Sequence, residues 1–85
     1  MTGPSFASAS QLSGVVDGRR RLGMSALTLW IGYFSVGGNG TLADVTSWLS
    51  GSAQVSVHDY DLLAQAMNDE FVTMGLDHPV PYSQE

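Results

Sequence analysis

The stretch SVHDYDLLAQAMNDEFVTMG, residues 56–75, decides the fold that the sequence predicts. Ser56, followed three residues later by Asp59, is typical of a helix N-terminus, because both side chains can accept backbone N–H groups of the first turn. Gly75 is a suitable stop. Between them, large apolar side chains recur at spacings of three or four residues, at Tyr60, Leu63, Met67, Phe71 and Met74. This spacing predicts a helix over about residues 57–74 with one apolar face.

Two shorter helices are predicted before it, over about residues 26–36 and 42–49. The first follows Ser25 and precedes Gly37-Gly38, and the second follows Thr41 and precedes Gly51. In each case a hydroxyl residue is suited to the N-cap and glycine follows the helix. The helical apolar sets are Leu27, Trp30, Ile31 and Phe34, widened by Leu29 and Tyr33, and then Leu42, Val45, Trp48 and Leu49. Three such helices joined by short glycine-containing links predict an all-α fold, a compact three-helix bundle.

The two ends of the chain show no sustained apolar period. Residues 1–23 are rich in Ser, Gly and Ala, and we predict a flexible N-terminal extension. Met24 is a plausible start of the gene product, so this extension need not be native. The alternative is a basic arm that folds back onto the acidic part of the chain. Residues 24–80 are then the folded domain, and residues 81–85 are a flexible C-terminal tail.

The charge distribution excludes several classes of partner. The chain has a formal net charge of −5, and its only basic side chains are Arg19, Arg20 and Arg21. From Met24 onward it carries seven carboxylate side chains and no lysine or arginine. Such a surface repels phosphate groups, so we expect neither nucleic acid nor an anionic membrane as a partner. A helix-turn-helix DNA reader is disfavoured for the same reason, since its recognition helix needs donors to phosphate.

No residue pattern indicates catalysis or a bound metal. His58 and Asp61 share a helical face, but two ligands do not complete a structural metal site, and no cysteine is available. The glycine-rich segment 37–41 lacks the P-loop lysine, so a turn explains it better than an anion site. Neither a Gly-x-Ser-x-Gly motif nor an ordered catalytic triad is present. We therefore predict that the protein is not an enzyme and holds no cofactor or metal.

A targeting signal is the alternative interpretation of the first apolar segment. The three arginines precede the apolar run of residues 26–36, and small residues follow it, as in a secretory signal peptide. Cleavage after Gly37 would leave 48 residues without a disulfide, which is a poor folding unit. The run also ends at a glycine pair, as a core helix does. We therefore expect a cytoplasmic protein.

The order of these features resembles a group of small all-helical actinobacterial proteins. The residues that carry the resemblance are Leu29-Trp30, Tyr33, Gly37-Gly38, Leu49, Gly51, Asp61-Leu62-Leu63-Ala64 and Asn68-Asp69. They span residues 27–74 and omit the N-terminal extension. The resemblance agrees with a start near Met24 and implies no activity.

The sequence therefore favours a non-enzymatic protein–protein interaction module, such as a regulatory adaptor, that binds a basic protein partner through an acidic and apolar surface. The first helix has more apolar circumference than a three-helix core needs, and an exposed apolar patch with an acidic rim is typical of an interface. The predicted partner-binding residues are Leu29, Tyr33, Asp61, Met67, Glu70 and Met74. The alternative is a homodimeric helical domain that binds a small apolar molecule in a shared core.

Overall fold

The computed structural model describes residues 5–76 and 80–83, and this part of the chain contains four α-helices. They are α1 (Ala9–Leu22), α2 (Ala26–Ser35), α3 (Leu42–Ser50) and α4 (Val57–Thr73). The all-α class is confirmed, and the three predicted helices begin and end within one residue of α2, α3 and α4. The predicted number of helices is wrong. Within the described residues, none of the helices has the length and apolar character needed to cross a membrane.

Helix α1 is the element that the sequence analysis assigned to a flexible extension. Its N-terminus carries a capping box, in which Gln11 N donates to Ser8 Oγ and Ser8 N donates to Gln11 Oε1. Its C-terminus ends at Gly23, which has a φ of 64°. The three arginines occupy the last turn, where positive charge is favoured by the helix dipole. The prediction of flexibility over residues 1–23 is therefore wrong for residues 9–22, and residues 1–4 lie outside the described part.

Helix α1 packs across α4 through a buried apolar contact. Val15 is fully buried, and Gly18 faces α4 so closely that an added Cβ would lie 3.4 Å from Phe71 Cε2. The Arg21 guanidinium carbon lies 5.5 Å from the centre of the Phe71 ring. The segment does fold back onto the acidic part of the chain, as in the basic-arm alternative. Burial of Val15 shows that apolar packing contributes to this contact as well as charge.

The segment before α1 is also held in place. Ala7 N donates to Val55 O at 2.9 Å, and Val57 N donates to Ser5 O at 2.9 Å. These two bonds flank an isolated antiparallel bridge between Phe6 and Ser56. The bridge joins the N-terminal segment to the start of α4, so the chain is anchored on both sides of the α1 N-cap.

Helix α4 lies at the centre of the fold, and both α1 and α2 pack mainly on it. Its buried residues are Tyr60, Leu63, Ala64, Ala66, Met67, Asn68 and Phe71. The predicted apolar face is confirmed for its first four members, whereas Met74 is 59% exposed at the end of the helix. Ala66 and Asn68 project about 200° apart around the helix axis, since each residue advances about 100°. The buried arc is therefore wide enough to need neighbours on two sides.

Residues 80–83, which we call the strap, lie against α4 without forming a helix or a strand. Asn68 is buried and makes two bonds to Val80: its Nδ2 donates to the carbonyl at 2.8 Å, and its Oδ1 accepts from the amide at 3.0 Å. Tyr60 Oη donates to the Pro81 carbonyl at 2.6 Å. The predicted flexible tail over residues 81–85 is therefore wrong for residues 81–83, and residues 84–85 lie outside the described part.

We expect a chain that begins at Met24 to lose its cooperative fold. Removing α1 uncovers Met67 and Phe71, and full burial of such side chains contributes about 1.5–3 kcal/mol each. A small domain has roughly 5–15 kcal/mol of total stability, so this loss is a large share of it. Thermal denaturation followed by circular dichroism measures the effect. A melting temperature within a few degrees of the full chain would contradict the packing of α1.

We expect Asn68→Ala to destabilise the fold by about 2–4 kcal/mol, because the Val80 amide and carbonyl would both lose their partner in a buried place. Gln65→Ala is the matched control, since Gln65 is an exposed amide on the same helix. The control substitution should change the free energy of unfolding by less than about 0.5 kcal/mol. Urea denaturation of both variants gives the comparison, and equal effects would show that Asn68 has no special role.

Candidate protein-interaction surface

The six predicted partner-binding residues do not form one surface. Leu29, Tyr33 and Met67 are fully buried, so the prediction that they are exposed is wrong. Met67 is buried because α1, which the prediction omitted, covers it: an added Cβ at Gly18 would lie 3.6 Å from Met67 Sδ. The other three residues, Asp61, Glu70 and Met74, are partly or fully accessible.

Helix α2 lies on α4 with the face opposite to the predicted one. Gly32 faces Ala66, and an added Cβ at Gly32 would lie only 3.2 Å from the Ala66 Cβ. This close approach places Leu29 and Tyr33, which flank Gly32 on that side of the helix, in the core. The periodicity of α2 did not distinguish the two faces, since apolar residues surround most of its axis. The missing Cβ of Gly32 decides the orientation.

Tyr33 fixes α2 through a buried hydrogen-bond network. Its hydroxyl donates to Asp59 Oδ1 at 2.7 Å and accepts from Gly40 N at 2.8 Å. Ser56 Oγ donates to the second carboxylate oxygen of Asp59 at 3.0 Å. Burial, and then the hydrogen bond to Asp59, raise the pKa of Tyr33 above its ordinary value of 10.0. One side chain thus joins α2, the glycine-rich loop and the N-terminus of α4.

The glycine-rich segment 37–41 encloses the Tyr33 ring. A Cβ at Gly38 would clash with the ring, and a Cβ at Gly40 would lie 2.9 Å from the Tyr33 hydroxyl. Trp48 packs edge-on against the same ring, with centroids 5.8 Å apart. The glycines are therefore explained by the close approach of the loop to an aromatic side chain, which agrees with the predicted turn.

The exposed face of α2 carries a row of large apolar side chains. Leu27, Ile31 and Phe34 are 50%, 51% and 61% exposed. Trp30 lies beside them, half-buried, with its ring stacked on Phe34 at a centroid distance of 5.7 Å. Trp30 Nε1 donates to the Gly40 carbonyl at 2.9 Å, which holds the indole in place. We call Leu27, Trp30, Ile31 and Phe34 the α2 face.

Exposed carboxylates stand on α3 and α4, the two helices that pack against α2. Asp69 and Glu70 follow Ala66 by one helical turn, so they lie on the side of α4 that faces α2, and both are exposed. Asp44 is exposed at the start of α3, with its Cβ 3.5 Å from the position of an added Cβ on Gly40. Helix α2 itself contains no charged residue. We call these three carboxylates on the helices next to α2 the acidic rim.

Other candidate sites have less support. A shallow cavity of ≈ 200 Å³ lies between the start of α1 and the α3–α4 loop, and it is smaller than the roughly 300 Å³ at which small-molecule sites begin. The described residues contain no group of three or more side chains placed to hold a metal ion. Of the two metal ligands considered from the sequence, His58 is exposed, and Asp61 accepts a hydrogen bond from the Ser83 amide.

The chain was compared with protein-family models, with curated proteins and with solved structures. None of them matches it.

The sequence analysis did name Leu27, Ile31 and Phe34, but as core residues. A signal for their exposure was present, because Gly32 lies on the opposite side from Phe34 and Leu27, and a glycine within a helix often marks close packing. Tyr33 is also compatible with a place in the core, since a buried tyrosine hydroxyl needs a polar partner and the predicted cap residue Asp59 can supply one. If these two features are given more weight than the periodicity, the sequence predicts the observed orientation of α2.

We expect Tyr33 to make the free energy of unfolding decrease at alkaline pH. Because its pKa is raised in the folded state, its contribution is complete below pH 10.0 and is lost as the pH rises through the folded-state pKa. Tyr33→Phe should destabilise the fold by about 1–3 kcal/mol at neutral pH, since Gly40 N and Asp59 lose a partner. Urea denaturation between pH 8 and about pH 11 tests both effects.

Tyr82→Phe is the control, because Tyr82 is a partly buried tyrosine that lies outside the Tyr33–Asp59 network. It should keep the alkaline loss of stability, whereas Tyr33→Phe should reduce it. The assignment to Tyr33 fails if both variants lose stability with pH as steeply as the natural chain.

Proposed function

We propose that this protein is a non-enzymatic interaction module that binds a basic protein surface through the α2 face. The observation that carries the proposal is the exposure of Leu27, Ile31 and Phe34 as one row, on a helix whose neighbours α3 and α4 carry exposed carboxylates. Exposed apolar patches with a polar rim are typical of protein-binding sites. The role is that of an adaptor, since binding alone uses these residues.

Charge favours a basic partner over a second copy of the chain. The net charge is −5, and the only basic side chains lie in the last turn of α1. A symmetric pair of α2 faces would place the rim carboxylates of one copy close to those of the other. A partner with lysine or arginine around an apolar centre would meet these carboxylates with opposite charge, which speeds association and orients the complex.

The size of the face indicates a transient complex. A helix of ten residues is about 15 Å long and about 10 Å wide, far below the roughly 800 Å² per partner of a stable interface. Burying the exposed halves of three large apolar side chains contributes roughly 1 kcal/mol each. The partner must therefore also contact the rim, where charge adds to the rate of association more than to the lifetime of the complex.

The test uses an amphipathic helical peptide of leucine and lysine, with a peptide of the same pattern in leucine and glutamate as its control. We expect the basic peptide to shift the amide resonances of α2 and the Trp30 indole resonance in nuclear magnetic resonance titrations, and the acidic peptide to leave them unchanged. Ile31→Ser should weaken binding about fivefold, since it removes roughly 1 kcal/mol of apolar contact. Added salt should slow association.

Val72→Ser is the matched variant, because Val72 is also β-branched and is 59% exposed on α4. It should leave the affinity of the basic peptide unchanged. The proposal is overturned if both peptides shift the same resonances, if the shifts map away from α2, or if Ile31→Ser and Val72→Ser act equally. If light scattering finds a stable dimer that Ile31→Ser dissociates, the partner at the α2 face is a second copy of the chain and not a basic protein.

A further inference from the structure

The contacts between α4 and the strap, residues 80–83, are those of a receptor with a bound peptide. Asn68 bonds to both backbone groups of Val80, and Tyr60 bonds to the carbonyl of Pro81. Asp61 accepts from Ser83 twice, from the amide at 2.8 Å and from the hydroxyl at 2.7 Å. Three side chains of one helix therefore satisfy four backbone groups of a tetrapeptide that is neither helix nor strand.

The strap makes these bonds to side chains where a strand or a helix would bond to backbone. Among the described residues, no backbone–backbone bond joins residues 80–83 to the rest of the chain. Apart from the tyrosines, Asn68 is the only polar side chain that is buried in the described part, and both of its amide atoms are used on Val80. Side chains that bond to the backbone of a segment hold it whatever its side chains are.

Helix α1 completes the groove and provides selectivity. Val80 is 2% exposed and packs beside Gly18, where an added Cβ would lie 3.4 Å from Val80 Cγ2, in ordinary contact. An added Cβ on Gly14 would lie 3.9 Å from Pro81 Cδ, in ordinary contact. Two glycines one turn apart on α1 thus shape the wall that faces an aliphatic residue followed by proline. Tyr82 also packs, partly buried, against the core.

We propose that the groove between α1 and α4 is a binding groove for a short peptide segment without regular secondary structure, and that residues 80–83 are its intramolecular occupant. The partner is a segment of another protein with the chemistry of the strap: an aliphatic residue, proline, an aromatic residue and serine. Such a segment has to displace the strap, which competes at the millimolar effective concentration typical of a tethered ligand. The groove lies on the flank of α4 that carries Asn68, so it is separate from the α2 face.

The experiment uses the full chain with Val80→Asp, which places a charge in a buried apolar position and so releases the strap. The probe is a fluorescent synthetic peptide with the sequence of residues 77–85, and its anisotropy reports binding. We expect the peptide to bind this variant and to raise its melting temperature. The natural chain should bind at least about tenfold more weakly, because its own strap competes. A peptide with aspartate in place of Val80 should not bind.

Adding Asn68→Ala to Val80→Asp tests the groove itself. Loss of two hydrogen bonds of about 1 kcal/mol each should weaken peptide binding by about tenfold or more. Equal binding by the natural chain and the Val80→Asp chain would overturn the proposal, because the peptide would then bind elsewhere. A folded Val80→Asp chain that binds no peptide would also overturn it. If this variant is unfolded and peptide at millimolar concentration does not restore its fold, the strap is a core element and the proposal fails.

Discussion

Burial of α4 over a wide arc is the constraint on which the rest of the fold depends. The arc extends from Ala66, which contacts Gly32 of α2, around to Asn68, which bonds to the strap. One neighbouring helix covers only a narrow strip of such a helix, because helix axes pack 8–10 Å apart. Helix α2 therefore covers one flank, while α1 and the strap cover the other. This explains why a segment with as little apolar character as α1 is needed for a closed core.

The sequence predicted most of the fold where periodicity and capping residues agreed. Helices α3 and α4 satisfy both conditions, and Ser25, Thr41 and Ser56 are N-caps as expected. Helix α1 was missed because its composition outweighed its caps. The Ser8–Gln11 capping box, the arginines of the last turn and Gly23 are all start or stop signals, and they stood at the correct spacing. The candidate site was reversed, because an all-apolar helix gives no preferred face and only Gly32 identified the packed one.

The arginines have local contacts as well as charge. Arg19 Nη1 donates to the Met24 carbonyl at 3.1 Å, just beyond the end of α1. Arg20 lies 3.7 Å from Asp17, with both side chains well exposed, so that pair contributes little. Arg21 lies over the Phe71 ring, where a cation contributes about 0.5–1 kcal/mol. The basic residues thus support the docking of α1.

The two proposed binding regions differ in the contacts that fix their structure. The α2 face belongs to a helix whose opposite side is packed through Tyr33 and Gly32. The positions of its side chains therefore do not depend on a bound partner. The strap groove is closed by a segment whose described hydrogen bonds are all to side chains. Local opening should therefore be easier at the strap than at α2, because fewer cooperative backbone bonds have to break. A partner at the α2 face meets a preformed surface, whereas a partner at the groove depends on release of the strap. The association rate at the α2 face is then set by diffusional encounter and ionic strength. The association rate at the groove is set by how often the strap is released.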